Sequence, residues 1–162
     1  MASFSLAHTS SEVKYMENQA ILNALTKLLE GTHMGQITFT DYLENLQNPA
    51  LHNHFQGYLE LLNNHEKALQ RAILFYHGDI NAESLKAMAS EMMITLKNLM
   101  LSSDGDILKS AMKSIEMGLS QLKEFDDENL ALTEEIRKDV KIMNDDYQSM
   151  KHQIHKSMLE FQ

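Results

Sequence analysis

Residues 21–69, ILNALTKLLEGTHMGQITFTDYLENLQNPALHNHFQGYLELLNNHEKAL, decide the architecture. Along their first half, Ile21, Leu25, Leu28, Thr32, Gly35, Phe39, Tyr42 and Leu46 recur at alternating steps of four and three, the stripe of an amphipathic helix. The stripe restarts at Leu51 and continues through Phe55, Tyr58, Leu62, His65 and Leu69 to Ala72 and Tyr76. Between them stands Asn48-Pro49. A proline restricts the residue before it and suits the first position of a helix, so one helix ends here and the next begins. The spacing predicts an antiparallel hairpin with helices over about 15–47 and 49–76. Two seams of equal period, joined by so short a turn, must bury each other. Gly31 and Gly35 weaken the first helix by up to about 1 kcal/mol each and let another backbone come close.

Working outward, His77-Gly78-Asp79 ends the second helix. A shorter helix is predicted over about 82–101, with Leu85, Met88, Met92, Leu96 and Leu99 on its apolar face. Ser102-Ser103-Asp104-Gly105-Asp106 then reads as a turn. Helices follow over about 106–125, through Ile107, Ala111, Ile115, Leu119 and Leu122, and over about 133–161, through Ile136, Val140, Met143, Tyr147, Met150, Ile154, Met158 and Phe161. No segment alternates as a strand would. The expected fold is all-α: a ferritin-like four-helix bundle of two antiparallel hairpins joined by a helical crossover segment. An array of five comparable helices is the competing arrangement. One domain is expected over residues 13–162, preceded by a disordered leader over 1–12.

Composition narrows the partners. With 14 basic against 23 acidic residues the formal net charge is -9, and a field of that sign repels phosphate backbones and anionic lipid headgroups. Nucleic acid and membrane surfaces are therefore not expected partners. No apolar run approaches the length of a membrane span, and Met1 to Ser10 lacks the regions of a signal peptide, so a cytoplasmic location is expected. Without cysteine, the chain has no disulfides, thiolate ligands or thiol nucleophiles.

Polar residues interrupt the seams at one level. If the first hairpin turns at Asn48-Pro49, His65 faces Thr32 near mid-bundle, with Glu30, His33 and Glu66 close by. Glu30 and His33 have the Glu-x-x-His spacing with which bundle proteins present a carboxylate and an imidazole to a metal. One such match is about what chance supplies in a chain of this composition. A di-metal site needs ligands from four helices, whereas Ile115, Val140, Met143 and Tyr147 occupy the inner faces of the last two. Glu116 and Asp146 lie beside those faces. The expected state of His65 is a core imidazole hydrogen-bonded to the Thr32 hydroxyl, which avoids the roughly 1–3 kcal/mol cost of a buried unsatisfied group. The alternative is a metal site formed by Glu30, His33, His65 and Glu66, holding iron, manganese or zinc. The pairs His52/His54 and His152/His155 are expected on the solvated surface. No serine–histidine–acid arrangement, phosphate loop or calcium loop is present. Of the 12 methionines, Met93 and Met117 fall off the seams and are candidates for a subunit contact.

Leu22-Asn23-Ala24-Leu25, Gly35 and Phe39 ahead of Pro49, Phe55, and Asp104-Gly105-Asp106-Ile107-Leu108 together resemble the bacterial ferritin-like family catalogued as domain of unknown function 2383. The resemblance spans about residues 21–150. It implies a ferritin-like bundle, considered a metal binder, with no assigned activity. By the spacing from Gly35 to Pro49, the carboxylate such proteins tend to carry on the first helix falls at Ile37 here, and its counterpart near Ile115. Isoleucine at both places departs from the family pattern. The expectation is a non-catalytic structural or protein-interaction module, with itself as partner in a homodimer, or another protein. The competing expectation is a metal-binding protein or ferroxidase-like di-metal carboxylate oxidase.

Overall fold

The computed structural model describes residues 2–161, with side chains described from Ser10 onward. Five helices follow one another: α1 (Ala2–Asn45), α2 (Pro49–Phe75), α3 (Ala82–Leu99), α4 (Asp104–Asp127) and α5 (Glu134–Glu160). There is no strand among the described residues. The expected leader over 1–12 overlaps the beginning of α1, and Met1 and the side chains before Ser10 lie outside the described residues.

Four helices close into a ring of neighbours: α1 against α2, α2 against α5, α5 against α4, and α4 against α1. α3 packs on α1 and on no other helix of the ring, which separates this arrangement from an array of five comparable helices. α3 begins low, where Ile80, Asn81 and Leu85 share a small cavity with Thr26 and Leu29. It ends high, where Asp104 reaches the α1–α2 turn. Adjacent ring helices are antiparallel. Tyr42 meets Ser114 and Gln47 meets Asp104 across α1 and α4, while Tyr58 meets Gln153 and His65 meets Asp146 across α2 and α5.

The seams read from the sequence for α1, α2, α4 and α5 turn inward, save Phe161 at the end of the last, which is exposed. Leu25, Phe39, Phe55, Leu62, Leu69, Ile107, Ile115, Met150 and Ile154 are among the most deeply buried side chains. At the end of the bundle nearest the first turn, Phe39, Tyr42, Phe55 and Tyr58 form an aromatic cluster with ring centroids 5.2–6.4 Å apart, the range in which edge contacts add to burial. The Asn48 side chain caps α2 by accepting from the Ala50 and Leu51 amides. Ser103 and Thr133 cap α4 and α5 in the same way, each worth about 1 kcal/mol.

Asp104-Gly105-Asp106 is not a turn, as expected, but the first turn of α4. The Ser103 hydroxyl accepts from the Asp106 amide and lets the helix start there, with both carboxylates at its positive end. Asp104 does more. Its two oxygens accept from the backbone amides of Gln47 and Asn48, each at 2.9 Å, fastening the start of α4 to the turn of the first hairpin.

Candidate functional site

Mid-bundle, the polar residues of the seams meet. His65 is 3% exposed, and its Nε2 lies 2.8 Å from Asp146 Oδ2 on α5. Its ring stands edge-on to Tyr147 at 5.4 Å between centroids. The Tyr147 hydroxyl approaches the Thr32 side chain across the centre of the ring. Gly118 on α4 makes room for that tyrosine: a Cβ there would sit 2.9 Å from its ring carbons. The expected bond between His65 and Thr32 is not formed: His65 turns to Asp146, and Thr32 faces the neighbouring Tyr147 on α5. Thr32 and His65 do lie buried at the same level, as the hairpin register required.

Burial sets the electrostatics. Loss of solvent pushes the His65 pKa below its ordinary value, against the opposing hydrogen bond and charge of Asp146. The ring is neutral near pH 7 and donates from Nε2. That leaves Nδ1 as an acceptor, buried without a protein partner. Desolvation likewise pushes the Tyr147 hydroxyl up to about 12. Tyr58, which donates to Gln153 Oε1 at 2.8 Å, is raised by the same cause. Tyr58–Gln153 and His65–Asp146 are polar bridges seven residues apart on both helices, and together they fix the register of α2 against α5.

The four residues considered as metal ligands are not brought together. His33 Nδ1 lies 3.2 Å from Glu66 Oε1 on the α1–α2 seam, and Gln36 donates to the other Glu66 oxygen at 2.9 Å and to Asn63 at 2.7 Å. Glu30 lines a separate cleft with Lys27, Gln121 and Glu124. His65 turns to Asp146 instead. Among the described residues no three His, Asp or Glu side chains converge as a metal ion requires. Ile115, at the position where the family resemblance implied a carboxylate, is fully buried among apolar neighbours. At this level the donors stand in two separate imidazole–carboxylate pairs, His65–Asp146 and His33–Glu66, rather than in the four-helix ligand set of a di-metal centre.

Sequence reasoning missed the contacts made by Asp146 and Asp104, and also Tyr58–Gln153. Asp146 was legible only as an acid beside a seam, because the register between α2 and α5 is not set by any short turn. Met93 and Met117 are exposed, Met117 at 65%, as their places off the seams required. His152 and His155 are exposed on α5, whereas His52 and His54 are half-buried. Among the described residues no helix is long and apolar enough to cross a membrane.

No curated protein matches the chain, and no solved structure does. The family described as domain of unknown function (DUF2383) matches residues 20–128, from the packed part of α1 through the end of α4. α5, which supplies Asp146 and Tyr147, lies beyond the matched region. With two thirds of its length covered, this chain belongs to the DUF2383 family.

Proposed function

We propose that this protein is a ferritin-like helical bundle that works as a non-catalytic structural or interaction module in the cytoplasm and pairs with a second copy of itself. The ferritin-like reading rests on the antiparallel ring of α1, α2, α4 and α5 with α3 as crossover. One observation carries the functional reading. The mid-bundle polar side chains face one another, His65 bonded to Asp146 and Thr32 beside Tyr147, in an arrangement that favours cross-linking the helices over holding a reactant. Apolar side chains are instead spread over the outside: Val13, Tyr15 and Met16 on the projecting part of α1, Ile94 and Met100 around α3, and Met117 on α4. Association by surface complementarity would cover them.

Light scattering on the purified chain at tens of micromolar tests the pairing. A mass of two chains is expected, and a monomeric mass would sink it. Elemental analysis of protein purified without tag or chelator, followed by titration with ferrous iron, manganese and zinc, tests the rest. Stoichiometric metal would replace this reading with the metal-binding one and direct substitution to Glu30, His33, His65 and Glu66.

A further inference from the structure

Between α1 and α4, on the side that α3 partly covers, a cleft divides into two chambers. The upper one has a volume of about 140 Å³, and Gly35, Phe39, Leu62, Met92, Ile115 and Met117 make its walls largely apolar. The lower one, about 270 Å³, is lined by Lys27, Glu30, Glu124 and Glu128 among others. Gly31, Met34 and Gln121 line both, so the two adjoin each other. Gln121 lies over Gly31, where a Cβ would overlap its side-chain amide, and this side chain marks the boundary.

The chambers differ in what they would accept. The upper is close in size to the ~150 Å³ apolar cavity that takes up a benzene ring. Three of its lining residues are methionines, Met34, Met92 and Met117, whose thioethers adapt to and favour an aromatic ring. Its roof, Met92, belongs to the helix held by α1 alone. The lower chamber sets three carboxylates against one lysine, and none of the three is in an ion pair among the described residues. It also adjoins the C-terminal end of α4, whose last turn carries no basic residue to offset the negative end of that helix.

We propose that this cleft binds a small arylalkylamine, with the ring in the upper chamber and the ammonium group among Glu30, Glu124 and Glu128. The site shares Met117 with the apolar surface assigned to self-association above, and its binding is read on the single chain.

Calorimetric titration with tryptamine, indole and indole-3-propionate tests it. Tryptamine is expected to bind saturably, one per chain, with indole weaker by about tenfold for want of the charged contact and the anionic propionate weaker again. The double variant Glu124→Gln/Glu128→Gln, both at exposed positions, is expected to weaken tryptamine about tenfold and leave indole unchanged. Gly35→Ala, whose methyl would meet Leu62 at an ordinary 3.7 Å, narrows the upper chamber and is expected to weaken both ligands. The proposal is overturned if tryptamine shows no saturable binding at millimolar concentration. It is also overturned if the three ligands bind alike, or if both variants bind tryptamine as the parent does.

Discussion

The helices of the ring and the crossover helix α3 have the same kind of sequence, an apolar stripe at helical spacing, and meet different fates. α2 buries nine residues, whereas α3 buries Leu96 alone. Its other stripe positions, Leu85, Met88 and Met92, are half-buried, and Leu99 is exposed. The reason is the number of neighbours. A ring helix touches at least two others, while α3 touches only α1. A hydrophobic stripe therefore announces which face of a helix turns inward, but how much is covered depends on what stands opposite.

The sharpest way to break that comparison is to remove one large side chain from each region. Phe55→Ala empties a fully enclosed site in the aromatic cluster and is expected to cost about 3–5 kcal/mol, against about 2 kcal/mol for Leu96→Ala, the low end for a buried leucine. Chemical denaturation of the two variants reads the difference, and equal losses would show α3 to be as integral as the ring.

The polar bridge at mid-bundle gives an intermediate effect. His65→Ala is expected to cost about 2 kcal/mol, part of it from the lost hydrogen bond to Asp146. The parent should also carry a pH dependence that the variant lacks. The folded-state pKa of His65 lies below its unfolded value, so the unfolded chain takes up the proton more readily. Its contribution is complete above the unfolded value near 6.5 and is lost as pH falls below it toward the depressed folded value. Thermal melts of parent and variant across that window check the sign; parallel curves would mean that the imidazole is not held neutral by burial.

The smallest effect is expected on the outside of α3. Ile94→Asp, at a site already 63% exposed, should change the stability of the single chain by no more than about 0.5 kcal/mol. A larger loss under conditions where the chain is monomeric would mean that α3 has a second partner within the molecule.

How far the chain was legible follows the same division. The seams of α1 and α2 could be placed residue by residue, because Asn48-Pro49 fixes their register through a turn of three residues. That register put His65 and Thr32 at one level. What it could not supply was the register of α2 against α5, two helices joined only through the rest of the chain. His65 was consequently assigned to Thr32 rather than Asp146. The gathering of Glu30, His33, His65 and Glu66 failed for a related reason. Sequence spacing brings side chains to one level of a bundle, but small differences in phase send them into different seams. The role of Asp104 was hidden because the amides that donate to it lie 56 and 57 positions away.

That clamp leaves an uneven mark on which substitutions the chain can tolerate. Asp104 contributes a side chain, whereas Gln47 and Asn48 contribute only their backbone amides. Position 104 depends on a short acceptor with two oxygens. Position 47 is open to any residue that keeps its N–H, and position 48 is limited further only by its duty as a cap. Proline is the one residue without that donor, and it stands immediately next, at Pro49. A slip of the turn by a single residue toward the N-terminus would place it where the clamp needs an N–H, so the neighbour that starts α2 also makes the joint intolerant of a change in loop length.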